Sequence, residues 1–412
     1  MTVKLIRLLI AFVVGVVLTL AATQYVLPAL AGGDDGMEPG ELRILSGLDQ
    51  SENTQRKALV DQWNVLHPEN RATIDELPAN ADQAHSQMVA QAQSGDSGVD
   101  IYNIDVTWTA EFAEAGYIQP LDGVDTSGFL DKPLRTCWYE GKLWALPFNT
   151  DAGLLYYRTD VVKDVPSTWS GVTAAIKEGK PEGVRTGLAT QLADYEGLTV
   201  AVMEAVWAAG GDVVDADGAV ALDSEAAQSA LRRLAEQVRD PEVNLAESLE
   251  ADESASTQTF RDGHAVFMRN WPVAYRALAA ESTEPLPFSA VPLPGNSVLG
   301  GQNLAISARS ENPAAARALI EFLTDPRSQQ ILFERGGLPA TRDIIYLDPA
   351  ITQRYPYARS LLSSIENARL RPITPHYTTF SQRLRSVVRA LLIDGSLPPD
   401  YVDQLTRALE GR

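Results

Sequence analysis

The sequence predicts an α/β protein with two domains, and three observations lead to this prediction. The chain has 412 residues, more than a single hydrophobic core usually serves. Strand-like runs alternate with helical periodicity along most of it, which is typical of sheets whose strands are joined by helices. Two segments without that periodicity, near residues 149–152 and 293–301, interrupt the alternation, and we expect the chain to pass between the domains there.

The first elements show the alternation. Strands are expected over residues 42–45, 73–77 and 99–103, with helices between them over 53–66 and 81–94. This order predicts a mostly parallel sheet with helices on both faces, and such sheets bind ligands beyond the carboxyl ends of their strands. Asp105 follows the third strand and is expected at such an end.

The stretch GKLWALPFNTDAGLLYYR, residues 141–158, is the most informative of the chain. It predicts a short apolar strand, a polar elbow and a second strand. Asn149, Thr150 and Asp151 form the expected elbow, where the chain passes from one lobe to the other and where a cleft would open.

The second half of the chain continues the pattern beyond the elbow. A small hairpin is expected to turn at Asp217-Gly218, followed by an amphipathic helix over residues 224–239. A strand over 265–268 leads to Trp271, and the Pro- and Gly-rich residues 291–301 form the expected second crossing. A third crossing is expected near 340–346.

The N-terminus predicts export. Lys4 and Arg7 precede an apolar stretch that reaches Ala22 and continues weakly beyond it. Residues 1–31 are interpreted as an uncleaved membrane anchor, because the apolar stretch is long for a signal peptide. The alternative is a signal peptide cleaved after Ala31. In both cases residues 32–40 form a flexible tether, and the remainder lies outside the cytoplasm.

Composition excludes several functional classes. A net charge of −20 argues against nucleic acid as a partner. With Cys137 as its single cysteine, the chain can form neither an internal disulfide nor a thiolate metal cluster, and its four histidines form no close ligand pair. The sequence has no P-loop, and the GDSG at 95–98 has no accompanying histidine segment of a serine protease. We therefore predict no metal, no cofactor and no enzymatic activity.

Five segments in a fixed order resemble one family. They are DVTWTAEFAEAGYIQPLD at 105–122, the stretch at 141–158, FRDGHAVFMRNWPVAY at 260–275, LGGQNLAIS at 299–307 and RPITPHY at 371–377. Together they resemble the family 1 extracellular solute-binding proteins of ABC importers, most closely the trehalose/maltose-binding subgroup.

The resemblance implies the periplasmic-binding-protein type II fold, with two α/β lobes around a central cleft. Lobe 1 would comprise residues 41–148 plus 300–342, and lobe 2 would comprise 149–299 plus 343–412. It also implies a function: capture of a disaccharide or oligosaccharide by hinge closure, followed by delivery to ABC permease subunits in the membrane. The protein would act as a monomer.

The same resemblance implies the ligand residues. Carboxylates and an arginine would hold sugar hydroxyls through charge-assisted hydrogen bonds, an indole would cover the apolar face of the sugar, and a glycine would offer its backbone. In this sequence the implied positions are Asp105, Asn149, Asp151, Trp271, Gly301, Gln302 and Arg371.

Two departures from the family pattern keep alternatives open. Gln302 stands where the family often has tryptophan, and Val273 stands where an aromatic residue is common near Trp271. The cleft has therefore lost stacking surface, which favours a smaller or more polar sugar over a disaccharide. A membrane-anchored sensor or scaffold domain of the same fold is the main alternative function, and an exported hydrolase is a remote one.

Overall fold

The computed structural model describes residues 36–94, 98–244, 246–279 and 286–412. The expected anchor or signal peptide at 1–31, residues 32–35 of the tether and residues 95–97 of the GDSG segment lie outside the described residues. Gly40–Arg412 form one compact unit, which contains every element named below. Within the described residues, no helix combines the length and the apolarity that a membrane crossing needs.

Eleven strands are present in the described residues, numbered here in chain order. They are β1 (Leu42–Gly47), β2 (Ala72–Leu77), β3 (Ile101–Asp105), β4 (Trp138–Tyr139), β5 (Lys142–Leu143), β6 (Leu146–Ala152), β7 (Leu154–Arg158), β8 (Thr186–Ala189), β9 (Ala265–Asn270), β10 (Phe288–Pro292) and β11 (Leu299–Ile306).

The α-helices of the described residues are numbered in the same way. They are α1 (Gln55–Leu66), α2 (Ala81–Gln93), α3 (Thr109–Glu114), α4 (Asp131–Arg135), α5 (Trp169–Glu178), α6 (Glu196–Ala208), α7 (Glu225–Arg239), α8 (Glu253–Arg261), α9 (Val273–Ala279), α10 (Pro313–Leu323), α11 (Pro326–Ile331), α12 (Asp343–Leu347), α13 (Pro349–Arg354), α14 (Tyr357–Asn367), α15 (Tyr377–Asp394) and α16 (Tyr401–Leu409).

Two sheets organise these elements. The first sheet has the strand order β2-β1-β3-β11-β6, and the second has the order β10-β7-β9-β8. The chain leaves the first sheet after β6, builds the second sheet, and returns to the first sheet as β11. A short hairpin of β4 and β5 stands apart from both sheets.

The expectation of a mostly parallel sheet holds for β1, β2 and β3 but is wrong for the first sheet as a whole. In the first sheet β1 pairs in parallel with β2 and β3, but β11 is antiparallel to both β3 and β6. In the second sheet only the β8–β9 pair is parallel. The physical reason is the route of the chain: β11 arrives from the second sheet rather than through a βαβ crossover, so nothing fixes it parallel to β3.

The prediction of a polar elbow at residues 149–151 is also wrong. Asn149, Thr150 and Asp151 are paired strand residues of β6, and Asp151 lies opposite Gly300 of β11. The chain changes sheets at Gly153, between the end of β6 and the start of β7. Polar side chains at alternate positions were the source of the error, because they line one face of a strand and need not mark a turn.

Local chemistry places the helices. Several begin at a residue whose side chain accepts a hydrogen bond from a backbone N–H of the first turn, as expected for N-caps. These residues are Asn80, Thr168, Ser224, Asp252 and Asp325. The apolar stripes of α6, α7, α15 and α16 then bury one shared core, in which Leu198, Leu231 and Leu384 are fully enclosed.

One buried carboxylate joins both crossings between the sheets. Glu204 of α6 accepts two hydrogen bonds from Arg269 of β9, at 2.7 and 2.9 Å. Its Oε1 also accepts the backbone N–H of Val298 at 3.1 Å and lies 3.2 Å from the hydroxyl of Ser297. That hydroxyl accepts the N–H of Gly153 at 2.5 Å. The first crossing, at Gly153, and the second, at 297–298, therefore meet at a single ion pair.

The fold predicts that Gly301 tolerates no side chain. Its φ is +123°, and a Cβ there would lie 2.3 Å from the carbonyl oxygen of Asn149 and 2.7 Å from the Cα of Thr150. We expect Gly301→Ala to lower the free energy of unfolding by about 2–5 kcal/mol, through backbone strain and overpacking. Chemical denaturation measures this value.

Gly47→Ala is the matched control. Gly47 is also a strand residue, and a Cβ there would meet no atom within 4 Å. We expect its stability to change by less than about 1 kcal/mol. Equal losses in the two variants would contradict the close approach of β11 and β6.

Candidate functional site

A polar face of the first sheet carries most of the expected ligand residues. Asp105 lies opposite Gln302, and Gln302 lies opposite Asn149 on the other side of β11. Asp151 projects to the same face as Asn149, because the two are separated by one residue in β6. The Nδ2 of Asn149 donates a hydrogen bond to Asp151 Oδ2 at 3.3 Å. We call this surface the cleft face.

Arg371 connects the cleft face to the helices of the second sheet. It lies in the loop between α14 and α15, and its side chain is only 3% exposed. Its Nη2 donates to Asp105 Oδ1 at 3.0 Å, and its Nη1 donates to Glu196 Oε1 at 2.8 Å. Burial acts to lower the pKa of Arg371, but the charges of Asp105 and Glu196 outweigh it and raise the pKa above its usual range.

Glu196 binds Arg371 on the side opposite to Asp105. It stands at the first position of α6, where a carboxylate is favoured by the helix dipole. Its Oε1 also accepts the hydroxyl of Tyr377, and its Oε2 accepts the hydroxyl of Ser381 at 2.5 Å. Glu196 therefore holds the guanidinium of Arg371 in position independently of the contact with Asp105.

Trp271 follows β9 and contacts the same surface. Its ring lies against Gly300: a Cβ on Gly300 would be 3.3 Å from the ring and 3.1 Å from the Cβ of Asp151. The guanidinium of Arg269 lies 3.9 Å from the ring centroid, and the indole N–H donates to Glu253 Oε1 at 3.1 Å. Trp271 is half-buried, so the protein does not enclose it completely.

Asp151 is held in an unusual state of ionisation. Burial, assisted by the nearby charge of Asp105, raises its pKa to about 8. The charge of Arg269 and the hydrogen bond from Asn149 act in the opposite direction but are weaker. Although the residue as a whole is partly exposed, its carboxyl is enclosed, and this local burial determines the pKa. At neutral pH the group is mostly protonated and can donate a hydrogen bond.

Unpaired acceptors are concentrated on this surface. Among the described residues, the buried oxygens Asn149 Oδ1 and Asp151 Oδ1 have no hydrogen-bond partner, and neither has Asn103 Oδ1 on β3. A buried polar atom without a partner costs about 1–3 kcal/mol. A ligand that supplies several O–H donors would remove that cost.

The cleft is closed in this structure. Arg385 of α15 donates to Asp82 of α2 at 2.5 Å, and Thr378 of α15 donates to Glu111 of α3 at 3.0 Å. The two cavities next to Arg371 and Asp105 measure about 10 Å³ each, which is scarcely the space of one water molecule. A sugar can enter only if these contacts open.

The structure brings Asp105, Asn149, Asp151, Trp271, Gly300, Gln302 and Arg371 to one surface. Gly301 is adjacent, but its carbonyl already accepts the N–H of Val106 at 3.2 Å, and its conformation explains why it is glycine. Sequence reasoning missed Glu196, Arg269 and Glu253. The signal for Arg269 was present, since it lies two residues before Trp271 in the segment 260–275, whereas nothing in the sequence marks the two glutamates.

Metal binding finds no support in the described part of the chain, which contains no group of three or more His, Cys, Asp or Glu side chains arranged around a common point. Cys137 is buried, and burial raises the pKa of its thiol.

Comparison with known proteins identifies the family. The model of the bacterial extracellular solute-binding proteins matches residues 59–357, which is more than half of the chain. The chain belongs to this family.

Individual relatives agree with this assignment. A "Probable ABC transporter-binding protein" of Deinococcus radiodurans is 28% identical over 354 residues, covering 80% of this chain and 83% of the relative. The maltose-bound MalE3 of T. maritima superimposes with a TM-score of 0.83 at 29% identity, covering 90% of this chain and 99% of that one. The acarbose-binding GacH receptor of Streptomyces glaucescens shares the fold, with a TM-score of 0.79 at 23% identity over 90% and 99% of the two chains. The protein is thus a solute-binding protein of the kind that serves ABC transporters, with the α/β fold of the maltose-binding type.

The raised pKa of Asp151 predicts an inverted dependence of stability on pH. An aspartate whose pKa is about 8 when folded and 3.8 when unfolded binds more protons in the folded state between these values. Its contribution to stability is therefore complete below about pH 4 and is lost as the pH rises to about 8. We expect Asp151→Asn, which cannot ionise, to be more stable than the parent at pH 8 by roughly 5 kcal/mol and to differ little at pH 4.

Urea denaturation of both proteins across this pH range tests the expectation. Asp217→Asn, an exposed hairpin position, serves as the control and should follow the parent. A parent-minus-variant difference that is constant with pH would show that Asp151 does not titrate in this window.

Proposed function

We propose that this protein captures a carbohydrate in the cleft beside the cleft face and delivers it to the permease of an ABC importer. The observation that carries the proposal is the row of unpaired buried acceptors, Asn103, Asn149 and Asp151, next to a half-buried indole. A sugar is the small molecule that presents many O–H donors around a ring whose faces are apolar.

The expected ligand residues keep their roles in this proposal. Asp105 and Arg371 bind hydroxyls through charge-assisted hydrogen bonds, and Asn149, Gln302 and the protonated carboxyl of Asp151 add neutral ones. Trp271 covers one sugar face, while Gly301 borders the site through its backbone. Because Gln302 and Val273 replace aromatic residues, we favour a ligand that needs one stacking face and many hydrogen bonds. The maltose and acarbose of the related structures are its closest chemical guides.

Hinge closure follows from the arrangement of the two sheets. We place lobe 1 on the first sheet and lobe 2 on the second, with the boundary at Gly153 rather than at residues 148–149, and keep the remaining boundaries expected from sequence. A sugar that bridges Asp105 and Trp271 favours the closed form by its higher affinity for that form. The permease then recognises the closed form, and no covalent chemistry takes place.

The cellular setting belongs to the same proposal. Membership of the extracellular solute-binding family places the protein outside the cytoplasm. We propose that residues 1–31 keep it at the membrane as an uncleaved anchor, and that it acts as a monomer.

Titration calorimetry of the exported part, residues 41–412, tests the proposal. The panel contains maltose, maltotriose, trehalose, glucosamine and ribitol. We expect saturable binding of at least one sugar, and a ligand at about 100 times its dissociation constant should stabilise the fold by roughly 2.7 kcal/mol in thermal unfolding. Failure of the whole panel to bind would favour the alternative of a sensor or scaffold domain, and consumption of the sugar would favour a hydrolase.

Site variants test the assignment of residues once a sugar is known. Asp151→Ala removes hydrogen bonds between the protonated carboxyl and the ligand, each worth roughly 0.5–1.5 kcal/mol, so the loss of two of them should lower the affinity about 5- to 100-fold. Trp271→Ala should cost a similar factor through loss of stacking and apolar contact. Trp138→Ala is the matched control, because Trp138 is 41% exposed and lies on the β4–β5 hairpin, which belongs to neither of the two sheets. Unchanged affinity in both site variants would remove these residues from the site.

A further inference from the structure

The indole of Trp271 is held on one face and at its polar atom. Arg269 covers one face, with its guanidinium carbon 3.9 Å from the ring centroid, and Arg269 is itself fixed by two hydrogen bonds to Glu204. The indole N–H, which is the single hydrogen-bonding group of a tryptophan side chain, donates to Glu253 Oε1 at 3.1 Å. A sugar that stacks on this ring must therefore use the face opposite to Arg269.

The contact with Arg269 does not by itself determine which edge of the indole points into the cleft. The χ2 torsion of tryptophan has two broad minima that are related by a flip of the ring, and such a flip leaves the ring plane nearly unchanged. The two orientations place the N–H on opposite sides. The hydrogen bond to Glu253 selects one of them, in which the six-membered ring lies against Gly300.

Glu253 is held in place by its own neighbours. It is the first residue of α8, and the N-cap residue Asp252 accepts the backbone N–H of Ala255 at 2.8 Å. The second carboxylate oxygen of Glu253, Oε2, accepts the hydroxyl of Tyr195 at 2.7 Å. Burial, followed by the charge of Glu253, raises the pKa of Tyr195, so this hydroxyl keeps its proton and acts as the donor. One oxygen of the carboxylate thus binds Tyr195 and the other binds Trp271.

Asn270 joins the first turn of α8 to the backbone of Trp271. It is 1% exposed, and its Nδ2 donates to the carbonyl oxygen of Glu253 at 3.1 Å and to Thr257 Oγ1 at 2.9 Å. Its Oδ1 accepts the backbone N–H of Trp271 at 2.7 Å, while the carbonyl oxygen of Trp271 accepts the hydroxyl of Tyr156 at 2.8 Å. Because the backbone of Trp271 is fixed in this way, the remaining freedom is rotation of the side chain, which Glu253 restricts.

We propose that Glu253 is a positioning residue for carbohydrate binding: it holds the indole of Trp271 in the orientation that covers a sugar face, and it does not contact the sugar itself. This inference rests on the proposed function. Its physical basis is preorganisation, because a ring that is already fixed loses less conformational entropy when the ligand binds.

A double-mutant cycle tests the proposal with the sugar identified by calorimetry. Glu253→Leu removes the acceptor and should weaken sugar binding about 2- to 10-fold, through loss of preorganisation. In a Trp271→Ala background the same substitution should cause no further loss, because there is no indole to position. Glu253→Gln, whose amide oxygen still accepts the indole N–H, should bind within about 2-fold of the parent.

Glu225→Leu is the matched control for this cycle. Glu225 is likewise the first residue of a helix, α7, and it is exposed, so its replacement should leave sugar affinity unchanged. If the loss caused by Glu253→Leu persists in full in the Trp271→Ala background, Glu253 acts by direct contact or through the fold, and the proposal is overturned. Unchanged affinity in Glu253→Leu itself would also overturn it.

The indole N–H signal of Trp271 provides a readout that needs no sugar. The chain has seven tryptophans, and Trp271→Phe assigns the signal in ¹H–¹⁵N NMR by its absence. We expect this N–H to be protected from exchange with water in the parent and in Glu253→Gln. In Glu253→Leu the signal should shift upfield and exchange faster, while the other indole signals report that the variant is folded.

The NMR result separates this proposal from the proposed function. An unchanged Trp271 signal in Glu253→Leu would overturn the positioning role whether or not a sugar binds. The expected change, together with a parent protein that binds no sugar, would confirm that Glu253 positions the ring and would contradict the proposed function alone.

Discussion

The ion pair of Glu204 and Arg269 is the constraint on which the two-sheet arrangement depends. Its carboxylate accepts hydrogen bonds from Arg269 and from the backbone of the second crossing, and Ser297 passes the contact on to Gly153 at the first crossing. Both side chains of the pair are about 4–5% exposed. Removing one partner of such a pair leaves a buried charge and typically costs about 3–5 kcal/mol. The crossings are thereby fixed to the second sheet, so that relative motion of the two sheets is confined to the few residues around them.

Arg371 differs from the Glu204–Arg269 pair. Its ion pairs link the two sides of the cleft, whereas that pair links the two crossings. Glu196 holds the guanidinium on the side of α6, and Asp105 meets it from the first sheet. Of the two ion pairs of Arg371, opening the cleft would break only the one with Asp105. The arginine keeps Glu196 as a partner, so the open form does not contain an isolated buried charge. This difference between a permanent pair at the crossings and a separable one in the cleft is what a hinge requires.

Much of the fold was predictable from local signals. The early strands and the amphipathic helix expected over residues 224–239 lie close to their expected positions, because hydrophobic periodicity is encoded within a few residues. The strand β6 was misread at Asn149 and Asp151, since one polar face of a strand and a polar turn contain the same residue types. Strand direction also escaped prediction: the antiparallel entry of β11 depends on the excursion through the second sheet, which no local pattern records.

The site residues also divide into those that the sequence reveals and those that depend on the tertiary structure. Asp105, Asp151, Trp271 and Arg371 were found through a resemblance that spans about 270 residues, and the structure places them on one surface. The glutamates that position them, Glu196 and Glu253, lie in ordinary helical sequence, where an acidic residue is most often a solvated one. Their importance comes from tertiary burial.

The central claim is that a ligand drives closure of the cleft. Electron–electron distance measurements between spin labels on the two sides of the cleft test this claim most directly. Labels at Gln62 on α1 and Arg232 on α7 report the separation, and both positions are exposed. Cys137 needs no replacement, because it is buried and burial raises the pKa of its thiol above the range in which it would react. We expect a broad distribution that includes longer, open distances, and a shift to one narrow, shorter distance when a sugar identified by calorimetry saturates the site. An identical distribution with and without saturating sugar would contradict the account.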